Sequence, residues 1–195
     1  MEDRIEITPA EARVDFHSGR IDGDRTSSSV KYLRQLKNVF SDREAFEKAD
    51  PETVVYRVEC HFPVAEGTEG GLFFGTSYIM PGKIGNEYFM TKGHYHARME
   101  CAEYYWGISG EGVLLLMDTD GECRAEKVEK GSLHYVPGMV AHRLVNTGAE
   151  VLAVGACWPS DAGHDYGSIE QSGFTASVIN ADGVPVVVKK ENRER

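Results

Sequence analysis

Long apolar runs are missing from this 195-residue chain. No stretch approaches the roughly 20 residues that cross a bilayer as a helix, which excludes a helical membrane protein. Positive charge is scarce too: 21 Lys and Arg stand against 31 Asp and Glu, a net charge of −10. A protein that coats nucleic acid needs a basic stripe instead, so no nucleic-acid partner is expected. A small anionic substrate stays compatible, because a local pocket can oppose the global field. The four cysteines, Cys60, Cys101, Cys123 and Cys157, make no C-x-x-C pair. The first residues carry no apolar core of a secretory signal, and a reducing cytoplasm is the expectation. Linker composition, solenoid-length repeats and low-complexity segments are also absent, and the length suits one domain with a sizeable core.

Along the chain, residues 1–28 are polar and read as an extended arm in front of a single domain over 29–195. From Ser29 the apolar positions Val30, Leu33, Leu36 or Val39, and Phe40 recur at helical spacing. Ser41 to Glu44 has the form of a capping box, and Asp50-Pro51 stops the helix that it opens. Two short helices within about 29–50 are therefore expected, covering one end of a barrel. Beyond Pro51 the pattern turns to short β-rich runs separated by Gly, Pro and Asp. They include 53–62, 71–80, 87–90, 103–109, 112–117, 122–128, 133–136, 142–146, 151–158, 174–179 and 184–189. Asp118-Thr-Asp-Gly121 is a hairpin turn signal. Strands this short and this evenly spaced predict an all-β antiparallel sandwich or barrel over about 53–190.

Chemistry concentrates in 91–105. His94 and His96 are two apart, and in extended backbone residues i and i+2 point to one side, so both imidazoles can face one point. Glu103 returns to that point if the chain turns through Ala97 to Ala102. His142 opens a later strand, after Gly131 and Pro137. Three imidazoles and a carboxylate form a mixed N/O set that suits iron, zinc, manganese, nickel or cobalt. His17, His61 and His134 lack this context and read as ordinary structural or surface groups.

These two segments resemble the paired motifs of the cupin superfamily. Gly131, Pro137, His142 and Asn146 fall at the spacing of its second motif. The first motif's leading glycine falls on Tyr88, and the second motif's middle glycine falls on Met139. For the glutamate, Glu100 with Gly107 and Glu103 with Gly110 both fit. A narrower resemblance, carried by Thr91-Lys-Gly-His-x-His96, Ala102-Glu-x-Tyr105, Ala141-His-Arg143 and Asp161-Ala-Gly-His-Asp-Tyr166-Gly167, is to cupin-type phosphoglucose isomerase, and it selects Glu103.

That resemblance implies a cupin barrel of jelly-roll type, one divalent transition metal per chain, with iron first, and a homodimer. It implies a cytoplasmic enzyme of glycolysis and gluconeogenesis that interconverts glucose 6-phosphate and fructose 6-phosphate. The metal ligands would be His94, His96, Glu103 and His142. Glu103 would also act as base, with Tyr166, on a Gly-flanked loop, near the substrate. Thr91, Gly93, Tyr105 and Ser77 or Thr76 would hold the sugar phosphate. Two other readings share the ligand set: a non-haem iron cupin dioxygenase, and a cupin that binds metal or sugar without catalysis.

Overall fold

The computed structural model describes residues 5–190; the outer ends of the expected arm (1–4) and domain (191–195) lie outside the described residues. The chain opens with β1 (Ala12–Val14), β2 (Ile21–Gly23) and β3 (Thr26–Tyr32), then a single 3-10 turn (Leu33–Leu36) and α1 (Arg43–Lys48). Next come β4 (Val54–His61), β5 (Leu72–Ile79), β6 (Lys83–Ile84), β7 (Glu87–Tyr88), β8 (Glu103–Ser109), β9 (Gly112–Met117) and β10 (Cys123–Val128). The remainder is β11 (Leu133–Val136), β12 (Ala141–Asn146), β13 (Leu152–Pro159), α2 (Tyr166–Ser172), β14 (Ala176–Ala181) and β15 (Val184–Lys189). Every strand pairing among the described residues is antiparallel, as expected of this all-β fold.

One large sheet runs in the order β11-β8-β13-β5-β4-β3, and a second runs β10-β9-β12. Between them lies the main core, with Val55, Ile79, Val154 and Ala156 from the large sheet meeting Leu114, Leu116 and Leu144 from the small one. β8 shows how the pattern sets this up: Glu103, Tyr105 and Gly107 are buried while Tyr104 is exposed, the period-2 alternation of a strand with one face inward. β12 is buried at all six positions. Its second face is covered by Ile169 of α2, Phe174 and Ala176.

The start of the chain departs from expectation. Val30 sits in β3, paired along β4 from Thr26↔His61 to Tyr32↔Val54, and only Leu33–Leu36 turn helically. The apolar spacing is genuine, but an open sheet edge offers Ser27 to Lys31 a ladder of backbone hydrogen bonds, and tertiary pairing overrides a weak helical pattern. Ser41 is not the cap of α1. Asp42 is, accepting from the Ala45 N–H at 2.9 Å, while the Ser41 hydroxyl donates to buried Glu87. The arm is likewise more than extended coil: β1 and β2 form a hairpin, and Thr76 donates to the Gly19 carbonyl at 2.8 Å. The Pro81-Gly82-Lys83 turn leads into a further short hairpin, β6 with β7.

Candidate metal centre and substrate cavity

The two large elements meet at four side chains. His142 comes from β12 and Glu103 from β8, so the facing sheets each contribute one. His94 and His96 lie on an extended segment outside the regular strands. His94 exchanges backbone hydrogen bonds with His142 (3.3 and 3.1 Å), and Tyr95 pairs with Asp165. The chain then turns through 97–100 before β8 begins at Glu103, the reversal the spacing requires. Glu100 stays exposed on that turn.

One ligand atom from each of His94, His96, Glu103 and His142 lies within 4.8 Å of every other. The second contacts of the imidazoles fix which nitrogen faces inward. His96 Nδ1 is 2.8 Å from the Cys101 carbonyl and His142 Nδ1 is 3.3 Å from the Val140 carbonyl. A carbonyl only accepts, so each Nδ1 carries the hydrogen and each Nε2 turns a lone pair toward the centre. There Glu103 Oε1 stands 2.6 Å from His142 Nε2 and 3.5 Å from His96 Nε2. Both Glu103 Oε1 and His142 Nε2 are buried without a hydrogen-bond partner. Two lone pairs 2.6 Å apart repel unless a cation or proton lies between them, and this donor set fits a transition metal.

The burial of these groups and their mutual charges shift their protonation. Burial pushes the Glu103 carboxyl upward, but His142 and His96 outweigh it and hold the group below the usual carboxylate range. Burial and the neighbouring His142 push His94 well below an ordinary histidine, which keeps it neutral. His96 moves the other way: burial lowers it, but the Glu103 carboxylate beside it raises the ring above an ordinary histidine, so a metal that takes an ionised carboxylate and neutral imidazoles displaces a proton from that ring. Burial, with Glu103 next to it, raises Tyr105 well above an ordinary phenol, so it remains a donor.

Beside this cluster lies a cavity of about 550 Å³. It is lined by His94, Glu103 and His142, by Thr91, Gly93, Tyr105 and Ser77, and by Tyr166. His96 sits behind the wall. Thr76 points away, to Gly19, so of these two hydroxyls it is Ser77 that lines the cavity. Thr91 Oγ1 accepts from the Leu144 N–H at 3.1 Å, leaving its own hydrogen free to donate into the cavity. Lys92 faces the other side, where it pairs with Glu170.

Gly93 has φ +75°, and a Cβ there would lie 2.7 Å from the Phe174 ring and 3.0 Å from the His142 carbonyl. Both the left-handed backbone and the close approach require glycine. Gly93→Ala is expected to cost about 1–3 kcal/mol of stability and to displace His94, which chemical denaturation and metal titration of the same sample measure.

Tyr166 does not lie on a loop: it opens α2, capped by Asp165, because the Asp165 carboxylate gives the helix its first acceptor. Three further lining residues escape a reading of the sequence. His164, two residues before Tyr166, packs 4.5 Å from the His94 ring and stacks on Tyr166 at 5.5 Å; its place in the same Gly-His-Asp-Tyr run is the available signal. Tyr56 and Lys31 also line the cavity. Lys31 is hidden because its stretch reads as helix.

Two facing antiparallel sheets, with three histidines and one glutamate closing on a cavity between them, define a metal-binding cupin. The family described as Glucose-6-phosphate isomerase (GPI) matches residues 30–195. Glucose-6-phosphate isomerase of Thermococcus litoralis is 41% identical over 189 residues, covering 96% of this chain and 97% of that protein. The enzyme of the same name from Pyrococcus horikoshii is 44% identical over 184 residues, covering 92% and 94%. This chain belongs to the glucose-6-phosphate isomerase family, in its cupin form. Among solved structures, an oxalate decarboxylase from Bacillus subtilis matches at a TM-score of 0.45 and 22% identity, over 63% of this chain and 30% of that one.

Proposed function

We propose that this chain is a metal-dependent isomerase that interconverts glucose 6-phosphate and fructose 6-phosphate. The observation that carries the proposal is Glu103, an ionised carboxylate buried among three imidazoles, on the wall of a cavity that also presents Thr91, Ser77 and three tyrosines. The reaction moves a proton between carbons 1 and 2 by way of an enediolate. A divalent cation held by His94, His96, Glu103 and His142 would stabilise the negative charge that develops on the two substrate oxygens.

The chain's own residues do the rest. Glu103 takes the proton from one carbon and returns it to the other. As the carbonyl moves from carbon 2 to carbon 1, the hydroxyl proton passes from oxygen 1 to oxygen 2, and Tyr105, kept protonated beside Glu103, hydrogen-bonds these oxygens without a net change of its own proton. Thr91 and Ser77 hold the phosphorylated part of the substrate through their hydroxyls, and the close backbone approach at Gly93 leaves room for it. Tyr166 and His164 stand at the mouth and exclude water from the reacting carbons. Purified protein should convert fructose 6-phosphate to glucose 6-phosphate equally fast in air and under argon, because isomerisation has no net redox change. A coupled assay with an oxygen electrode checks this; oxygen uptake tied to substrate loss would move the chain to the dioxygenases, and metal binding without turnover to the binding proteins.

The same reading includes iron as the resident metal, a cytoplasmic location and a homodimer. The N/O ligand set supports iron, and metal analysis tests it. The four free cysteines suit a reducing compartment. For the dimer, the support is an exposed apolar patch on the outer face of β8 and β11, formed by Tyr104, Leu133 and Tyr135. No helix among the described residues is long and apolar enough to cross a membrane.

A further inference from the structure

Two charged residues of the cavity, Lys31 and Glu66, have no part in the proposed chemistry so far. Among its described lining residues Lys31 is the only lysine or arginine, against two carboxylates, Glu66 and Glu103. Glu103 belongs to the metal cluster. Lys31 has no hydrogen bond, ion pair or ring contact for its ammonium group among the described residues, unlike Arg57, Lys92 and Arg143, which are all engaged elsewhere. A part-buried lysine with no partner, on the wall of a cavity, is a charge available to a ligand.

Register shows where it stands. In β3 the cavity-facing positions are Ser29 and Lys31; in β4 they are Tyr56, Val58 and Cys60; in β5 they are Gly75 and Ser77. Lys31 pairs directly with Tyr56, while Ser29, Val58 and Ser77 form the next row across the three strands. The Tyr56 side chain reaches the Lys92 backbone, between Thr91 and Gly93. Lys31, Tyr56, Ser77 and Thr91 therefore gather at the Tyr56 end of β4. Glu66 lies past the other end, beyond Phe62, and the run from Tyr56 to Phe62 alone spans roughly 20 Å at about 3.3 Å per residue. The cavity thus has a cationic, hydroxyl-rich end and an anionic end, with the metal cluster along its wall.

We infer that Lys31 is the counter-ion for the substrate's phosphate, and that the Lys31–Glu66 polarity fixes which end of the sugar phosphate enters where. This rests on the sugar-phosphate reading above and deepens it. A phosphate monoester carries about −1.5 to −2 charges near neutral pH. Glu66 repels it from one end and Lys31 draws it to the other, so carbons 1 and 2 are left beside Glu103. Lys31 is a positioning residue that touches neither the reacting carbons nor the metal.

The test compares Lys31→Met, which keeps the apolar stem, with Lys31→Arg, which keeps the charge. For fructose 6-phosphate, Lys31→Met should raise KM about tenfold to a hundredfold, the scale of a lost charge-assisted hydrogen bond, with kcat and metal content changed much less. Lys31→Arg should recover most of the loss. Competitive inhibition by inorganic phosphate should weaken in parallel in Lys31→Met, whereas inhibition by glucitol, which has no phosphate, should not move. An unchanged KM in Lys31→Met, or equal weakening of phosphate and glucitol, overturns the assignment. If the unaltered protein shows no isomerase activity, the functional reading falls instead, and calorimetric titration of inorganic phosphate into both variants still decides whether Lys31 binds the anion.

Discussion

Glu103→Gln should reduce isomerisation about 10²-fold or more, the usual scale for loss of a general base, while metal stays partly bound. Glutamine keeps the shape and one oxygen donor but cannot accept a proton. The case for a large effect is positional: the Glu103 carboxylate is 5% exposed, stands 2.6 Å from His142 Nε2 and faces the cavity. Coordination and the imidazole neighbours lower its basicity, which works against the role. The opposing gain is that a bound cation acidifies the substrate proton by stabilising the enediolate. Glu100→Gln is the matched control, because Glu100 lies exposed on the turn and outside the cluster; it should change turnover little. Stopped-time assays with metal analysis of both variants separate the two effects. Were Glu100→Gln the damaging change, the alternative cupin spacing would be the true one. In deuterated water, label at carbon 1 or 2 of the product marks proton transfer, and its complete absence points to a hydride shift or a shielded base, with Glu103 as a ligand only.

His96→Ala should empty the metal centre. His96 is 5% exposed and sits behind the cavity wall, so substrate contact cannot account for any loss. Its Nδ1 is anchored on the Cys101 carbonyl, which fixes the ring and aims Nε2 at Glu103. Removing it deletes one of four donors and leaves Glu103 with fewer compensating groups. Metal affinity should drop at least about tenfold, the scale at which even outer-shell changes act, and activity should fall with it and return on adding excess metal. His134→Ala is the control. It is equally buried, but its ring bonds Glu126 at 2.7 Å and Ser132 at 2.8 Å, away from the cluster. It should cost stability and leave metal content alone. Equal metal loss in both variants would mean that folding, and not ligation, is being measured.

The histidine pair of the cluster is legible from a local rule, two histidines two apart in extended chain, whereas spacing leaves Glu100 and Glu103 open and the family resemblance selects Glu103. Strands Glu103–Ser109, Gly112–Met117, Leu133–Val136 and Val184–Lys189 follow directly from alternation and turn residues. The hidden parts are set by neighbours distant along the chain. The Val30 to Phe40 spacing looks helical, but the partner that decides it is β4, about twenty-five residues on from β3. The same misreading conceals Lys31. His164 shows no periodicity of its own; only the pairing of Tyr95 with Asp165 brings it to His94. The choice between Ser77 and Thr76 needs the Gly19 contact, which no local pattern encodes.

β3 closes one side of the cavity, yet it is bonded to the sheet along a single edge, to β4. None of the four ligands lies on it. Terminal strands of this kind open at low free energy while the rest of a sheet stays shut. Unzipping β3 alone would therefore uncover the part-buried Lys31 to water and breach the cavity, with the ligand cluster intact. Amide hydrogen exchange should register this as faster exchange in 26–32 than in 103–109 or 141–146, and a sugar phosphate bound inside should slow the first segment most. Substrate admission and catalysis would then draw on different parts of the same sheet.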